Sequence, residues 1–131
     1  MAGEYTIEEQ EHCVYVQFKG GSEVTPEMII EALNCENALY PAGKQYDLWD
    51  FRGCFPSDTF GYEAMLKIVD HIETHFSDNW GVRTALLVDD AIQFGLSRMF
   101  QILSDVFPVQ ITIFQDEAEA RCWVSEKGGA P

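Results

Sequence analysis

A chain of 131 residues that is 47% hydrophobic and 13% aromatic is long and apolar enough to bury one core, which excludes a disordered chain and points to a single domain. Its 22 acidic against 8 basic side chains, a formal charge of -14, set up a field that repels phosphate, so nucleic acid and anionic membrane surfaces are excluded as expected partners. A basic partner, or high solubility alone, accounts for that charge.

The opening MAGEYTIEEQ carries no positive region and no apolar run, so it does not read as a secretion signal. No stretch approaches the length of a membrane span. Cys13, Cys35, Cys54 and Cys122 are widely spaced, with no CxxC pair and no zinc-like spacing. The expectation is a cytoplasmic protein with reduced thiols, no metal and no cofactor. Cys54 is the cysteine that falls in an expected loop, yet no neighbouring His or Lys favours its thiolate.

Tyr5 to Glu8 reads as a short strand, and His12 to Lys19 as a half-buried one, with Val14, Val16 and Phe18 alternating against Cys13, Tyr15 and Gln17. The intervening Glu9-Gln10-Glu11 makes a hairpin. Thr25-Pro26-Glu27 opens a helix as cap, first helical residue and dipole-matched acid, with Ile29, Ala32, Leu33 and Cys35 or Leu39 as its expected buried side. Pro41-Ala42-Gly43 stops it. Tyr46 to Phe51 is the next strand, apolar apart from Asp47 and Asp50.

A loop with Gly53, Pro56 and Ser57 leads to a helix over about 60–76, where Met65, Leu66, Ile68, Val69, Ile72 and Phe76 share one face. Ser77-Asp78-Asn79 and Gly81 close it. Arg83 to Val88 contains Ala85-Leu86-Leu87-Val88, the continuous run of a strand covered on both faces. Asp90 and Gln93 form a capping-box pattern for a helix running to about Val106. Val109 to Phe114 is the last strand, and Asp116 with Glu119 repeats the capping pattern for a helix through Trp123.

The order is β-β-α-β-α-β-α-β-α. Strand and helix alternate after the hairpin, which implies a mostly parallel five-stranded sheet with about four helices and the first strand antiparallel at one side. One α/β domain over residues 1–127 is expected, with 128–131 as a frayed tail.

This order resembles the STAS-type fold, and three stretches are similar to its SpoIIAA-like branch of uncharacterised bacterial proteins. Asp47-Leu48-Trp49-Asp50-Phe51-Arg52-Gly53 is similar to that branch's strand-end DxRG. Phe94-Gly95-Leu96-Ser97-Arg98-Met99-Phe100-Gln101 is similar to its FGxxRMFQ helix, and Val109 to Trp123, with Phe114-Gln115-Asp116 and Glu119-Ala120, also fits. The resemblance spans roughly residues 4 to 125. It implies a small SpoIIAA/STAS-like regulatory or ligand-binding domain rather than a catalyst. In the anti-sigma-factor antagonists of this fold, a serine in an Asp-Ser-Ser-Gly motif is phosphorylated. Here Pro56-Ser57-Asp58-Thr59-Phe60-Gly61 lacks that motif but places Ser57 and Thr59 nearby as possible phosphorylation positions. Comparison with CRAL-TRIO lipid-transfer domains implies an apolar or lipid-like ligand.

Ligands of open parallel sheets gather beyond the carboxyl ends of the strands. Those ends offer Asp50, Arg52, Ser57, Thr59, Asp89 and Asp90, with Arg98 in the helix beyond. They form either a structural ion network or a polar pocket, and Ser57 and Thr59 also read as the cap of the second helix. Arg52 suits a bidentate carboxylate clamp, with Asp50, Asp89 or a ligand as partner. Gly53 reads as a backbone turn.

In the third helix, Ile92, Leu96, Met99, Phe100, Ile102, Leu103 and Val106 spread over nearly half the circumference, with Phe94 on the other side near Ser97, Arg98 and Gln101. The rest of the domain, a partner subunit or an apolar ligand covers that width. His71 and His75 are spaced i, i+4 but lie off the core face without a third ligand, which reads as an exposed helix surface. Asp47 and Asp50 point to opposite faces of their strand and cannot act as an acid/base pair from that spacing.

No catalytic constellation emerges, so a non-catalytic module is expected. One reading is a regulatory or protein-interaction module, a homodimer through the third helix around Phe94. The alternative is a binder of a small apolar or amphipathic ligand among Phe51, Phe55, Phe60, Tyr62 and Phe94, with Arg52 or Arg98 holding a polar head. Asp50, Arg52, Phe94 and Arg98 are therefore the candidate ligand or partner contacts.

Overall fold

Alternating side chains at the start of the chain build a hairpin, and everything after it is laid beside the hairpin's second strand. In chain order the elements are β1 (Tyr5–Glu9), β2 (Val14–Phe18), β3 (Glu23–Val24), α1 (Pro26–Leu39), β4 (Asp47–Asp50), β5 (Phe55–Pro56), α2 (Tyr62–His75), β6 (Arg83–Leu87), α3 (Ala91–Leu103), a 3-10 turn (Ser104–Val106), β7 (Gln110–Phe114) and α4 (Glu117–Ser125). The computed structural model describes residues 5–10, 13–40, 46–75, 83–106 and 109–125. The expected breaks at 41–43, 77–79, 81 and 108, the side chain of Phe76 and the 128–131 tail lie outside the described residues.

The main sheet has the order β1-β2-β4-β6-β7. β1 pairs antiparallel with β2, with Ile7 opposite Val16 and Tyr5 opposite Phe18. β2, β4, β6 and β7 run parallel, with Val16 beside Trp49, Trp49 beside Leu86 and Leu86 beside Ile113. The sheet is therefore mostly parallel with its antiparallel strand at one edge, as the element order implied.

Because strand side chains alternate, this register sorts the residues onto two faces. Val14, Val16, Phe18, Trp49 and Leu86 pack with Ala32 and with Met28, Ile29, Leu33 and Phe100, residues of α1 and α3. Cys13, Tyr15, Leu48, Ala85 and Leu87 pack with Ala120 and Val124 of α4. On the α4 side, the Arg83 guanidinium lies 5.0 Å from the Trp123 ring and donates to its carbonyl at 2.6 Å, and Arg121 lies 5.0 Å from the Tyr15 ring.

The helix starts follow local chemistry. Thr25 Oγ1 accepts from Met28 N at 3.1 Å, Asp90 Oδ1 from Gln93 N at 2.8 Å, and Asp116 Oδ1 from Glu119 N at 3.1 Å. The second helix begins at Tyr62, and Met65 N bonds Gly61 O, so Gly61 occupies the cap position. Ser57 and Thr59 lie upstream and do not cap it, because β5 draws residues 55–56 into a small parallel sheet with β3 that the sequence pattern did not reveal. Gly21 and Gly53, with φ of 84° and 79°, turn the chain into that sheet, and Gly21 N bonds Gly53 O at 2.7 Å.

The inner face of α3 also differs from the sequence expectation. Gln93 and Ser97 are its buried residues, whereas Ile92 and Ile102 are 64% and 57% exposed. Gln93 turns inward because its amide has fixed partners there, donating to the carbonyls of Phe51 and Cys54 at 2.9 and 2.7 Å and accepting from Asp89 N at 2.9 Å. Burying these satisfied polar groups sets the rotation of the helix against the pull of its apolar count.

Candidate functional site

Trp49 and Leu86 occupy the middle of the sheet, and the helices above them leave a cavity of about 200 Å³. Ile29 and Leu33 of α1, Met65, Ile68 and Ile72 of α2, and Leu96 and Phe100 of α3 face Trp49, Leu86 and Ile111 of the sheet across it. Phe51, Phe55 and Phe60 complete the wall, with Phe18 stacked on Phe51 at a ring separation of 5.0 Å. Phe55 is half exposed, so the wall reaches the surface there.

Two carboxyls sit in this apolar wall. Glu36 of α1 is 7% exposed and Asp47 of β4 is 8% exposed. Asp47 accepts from Thr84 Oγ1 at 2.6 Å and from the Trp49 indole Nε1 at 3.0 Å. Glu36 is hydrogen-bonded to Asp47, and its Oε2 has no donor among the described residues. Neither carboxyl has an ion-pair partner among the described residues.

Burial pushes both acids above the usual carboxylate range, Glu36 furthest, because the charge of Asp47 adds to the desolvation. Thr84 and Trp49 donate to Asp47 and favour its charged form. Glu36 is therefore the acid that holds a proton more readily, while the donors from Thr84 and Trp49 favour the charge on Asp47. That charge faces a cavity whose remaining polar lining includes Gln93, Ser97 and Thr84.

The candidate residues at the strand ends form a different assembly on the opposite side of the sheet. Asp50, 2% exposed, accepts from Tyr15 Oη, from Arg52 N and Nε at 3.0 Å and from Arg52 Nη2 at 2.8 Å. Arg52 Nη2 also donates to Glu117 Oε1 at 2.9 Å, and Arg121 Nε to Glu117 Oε2 at 2.7 Å. Burial pushes Asp50 up, but the donors from Arg52 and Tyr15 outweigh it and hold the carboxyl below its ordinary range. Burial, with the Asp50 carboxylate beside it, pushes the Tyr15 phenol up to about 12. The Arg52 fork is occupied by Asp50 and Glu117, which fastens α4 to the end of β4.

The remaining candidates are scattered. Arg98 is exposed and donates to Gln101 at 2.5 Å. Phe94, 43% exposed, shares the outer side of α3 with it and lines no part of the cavity. Ser57 and Thr59 hydroxyls bond each other at 2.7 Å in the loop before α2. Asp89 accepts from Gly53 N at 3.0 Å. Of the five aromatics named from sequence as a ligand site, Phe51, Phe55 and Phe60 line the cavity, whereas Tyr62 and Phe94 point elsewhere.

Cys54 is buried, and its thiol donates to the carbonyls of Lys19 and Phe18 at 3.1 and 3.4 Å. Burial raises its pKa. The His71 and His75 rings stack at 4.3 Å, and His71 Nε2 bonds Asn34 Oδ1 at 2.8 Å. Among the described residues no group of three His, Cys, Asp or Glu could hold a metal ion, and no helix is long and apolar enough to cross a membrane.

Glu36 was missed as a site residue. Its signal is an acid set in line with Ile29, Ala32 and Leu33, at a position where the apolar stripe of α1 demands a hydrophobic side chain.

No protein-family model matches the chain, and neither does any curated protein. Among solved structures, it is similar to an uncharacterised protein of the DUF3478 family from Shewanella loihica PV-4 with a SpoIIAA-like fold. The two share 17% identity at a TM-score of 0.57, over 92% of this chain and 91% of that one. The chain thus has a SpoIIAA-like fold, the fold that its strand-end and α3 motifs implied.

Proposed function

We propose that this SpoIIAA-like domain is a non-catalytic binder of a small apolar ligand held between the sheet and α1, α2 and α3. The observation that carries the reading is the cavity of about 200 Å³ walled by aliphatic and aromatic side chains. An apolar cavity of roughly 150 Å³ suffices to take up benzene. Folded interiors are normally filled to crystal-like density, so a void of this size forfeits dispersion contacts that a ligand restores. Fold alone assigns no ligand, so the reading rests on the walls of the site.

The test is uptake of ethylbenzene, followed by NMR shifts of the wall methyls of Ile68, Leu86 and Leu96. Saturable shifts confined to the wall, abolished by the cavity-filling Leu96→Trp with the fold retained, support the reading. Absence of uptake at ethylbenzene saturation refutes it.

A separate observation favours a second reading, an interaction module. Ile92, Phe94 and Ile102, at 64%, 43% and 57% exposure, lie on one outer arc of α3 around Arg98. If this arc joins two copies of the chain, native mass spectrometry gives a doubled mass that Phe94→Asp halves. A monomeric wild type removes the homodimer.

A further inference from the structure

We propose that the Glu36–Asp47 pair is the seat of an ammonium group, so that the ligand of the cavity is a small apolar amine. The inference rests on the reading of the cavity as a ligand site and adds the chemical class of the ligand.

Three features of the geometry point to a cation. Both carboxyls are more than nine-tenths buried in the wall of an apolar space, where an uncompensated negative charge is costly. Neither has an ion-pair partner among the described residues. Glu36 Oε2 has no donor among the described residues, although buried acceptors are almost always satisfied. An ammonium group answers all three. It supplies the missing donor to Glu36 Oε2, and its positive charge compensates the charge that the donors of Thr84 and Trp49 favour on Asp47. Its hydrogen bonds would be charge-assisted and dry.

The same features exclude other heads. A carboxylate or phosphate would meet like charge, with no basic side chain among the described lining residues to receive it. An uncharged molecule would leave the pair uncompensated. The rest of the ligand follows from the wall: beside Trp49, Leu86, Ile68 and Phe100 there is room for one ring and a short chain. The overall charge of -14 also raises the local concentration of cations at the surface.

The experiment compares 2-phenylethylamine, 2-phenylethanol and ethylbenzene on the full chain by NMR titration near neutral pH. The amine is expected to bind at least about tenfold tighter than either neutral analogue. Asp47→Asn, which removes the charge, is expected to abolish that preference while still taking up ethylbenzene, which reports an intact cavity. An amine no tighter than 2-phenylethanol in the wild type overturns the ammonium site, whether or not Asp47→Asn folds. If ethylbenzene still binds in that case, the cavity reading stands alone; if none of the three binds, both readings fall.

Discussion

Replacing Glu36 by Gln should stabilise the protein, and by an amount that grows with pH. Glutamine is close in shape to the protonated acid, and its amide can make the donation to Asp47 that the Glu36 proton makes. In the unfolded chain Glu36 titrates at about 4.3, whereas burial beside Asp47 holds it well above that in the fold. Between those two values the native state binds more protons than the unfolded state. Stability must therefore fall as pH rises through that window and level off above the folded value. Each pH unit crossed costs about 1.4 kcal/mol. Rearrangement that lets water reach Glu36 Oε2 should cap the total near the cost of one unsatisfied buried acceptor, about 1–3 kcal/mol.

Wild type and variant should thus agree within error near pH 3, where Glu36 is protonated in both states. By about pH 8 the variant should lead by roughly 2 kcal/mol. At this chain length that corresponds to a rise in Tm of roughly 6–10 °C. Urea unfolding followed by circular dichroism across this range gives the difference directly, and carboxylates remote from the pair cancel. A constant difference with pH, or a variant weaker than wild type at pH 8, would refute the assignment of a buried proton to Glu36.

The opposite sheet face predicts the opposite slope. Asp50 is held below its ordinary range, so its contribution is present above about pH 4 and is lost as pH falls through the folded value. Arg52→Ala should cost about 2 kcal/mol at neutral pH, less than a fully buried pair because water reaches the Arg52 head, and much less near pH 3, as urea titrations at both pH values will show. Gln93→Ala strips donors from the carbonyls of Phe51 and Cys54 and should cost about 2–3 kcal/mol in the same assay; a loss below 0.5 kcal/mol, the range of ordinary surface changes, would mean that water replaces the amide. Native labelling with a thiol reagent, read by peptide mass, should mark exposed Cys122 well before buried Cys54, and equal rates would contradict the packing of the Cys54 loop.

Features fixed by neighbours in sequence were legible, and those fixed by tertiary meeting were not. Thr25, Asp90 and Asp116 each bond a backbone N–H three residues on, so their caps are written locally. The apolar run Ala85 to Val88 reports burial on both faces wherever it pairs. By contrast, periodicity weighs only apolar residues. It rotated α3 toward Ile92 and Ile102 because the value of Gln93 inside the fold lies in carbonyls some 40 positions earlier. Glu36 and Asp47 each break an apolar pattern, and each alone reads as a tolerated surface acid. That they meet depends on α1 crossing back over the sheet where β4 pairs with β2. The cavity is still less legible, because it is the remainder after three helices have packed.

The two faces of the sheet treat buried acid in opposite ways, and the contrast argues that the difference is functional. Beneath α4, the acids are paired: Asp50 takes Arg52 and Tyr15, and Glu117 takes Arg52 and Arg121. Such a network fastens a short nine-residue helix that has little apolar surface of its own. Under α1, α2 and α3 the apolar contacts are plentiful, and no charge is needed to hold the layers together. Yet this is where two carboxyls are buried with no ion-pair partner among the described residues, one of them with an idle oxygen. A hydrophobic pair of the same volume would pack this wall at no desolvation cost. A stability argument therefore explains the acids of the α4 face and does not explain Glu36 and Asp47, and that is the gap the proposed ammonium ligand would fill.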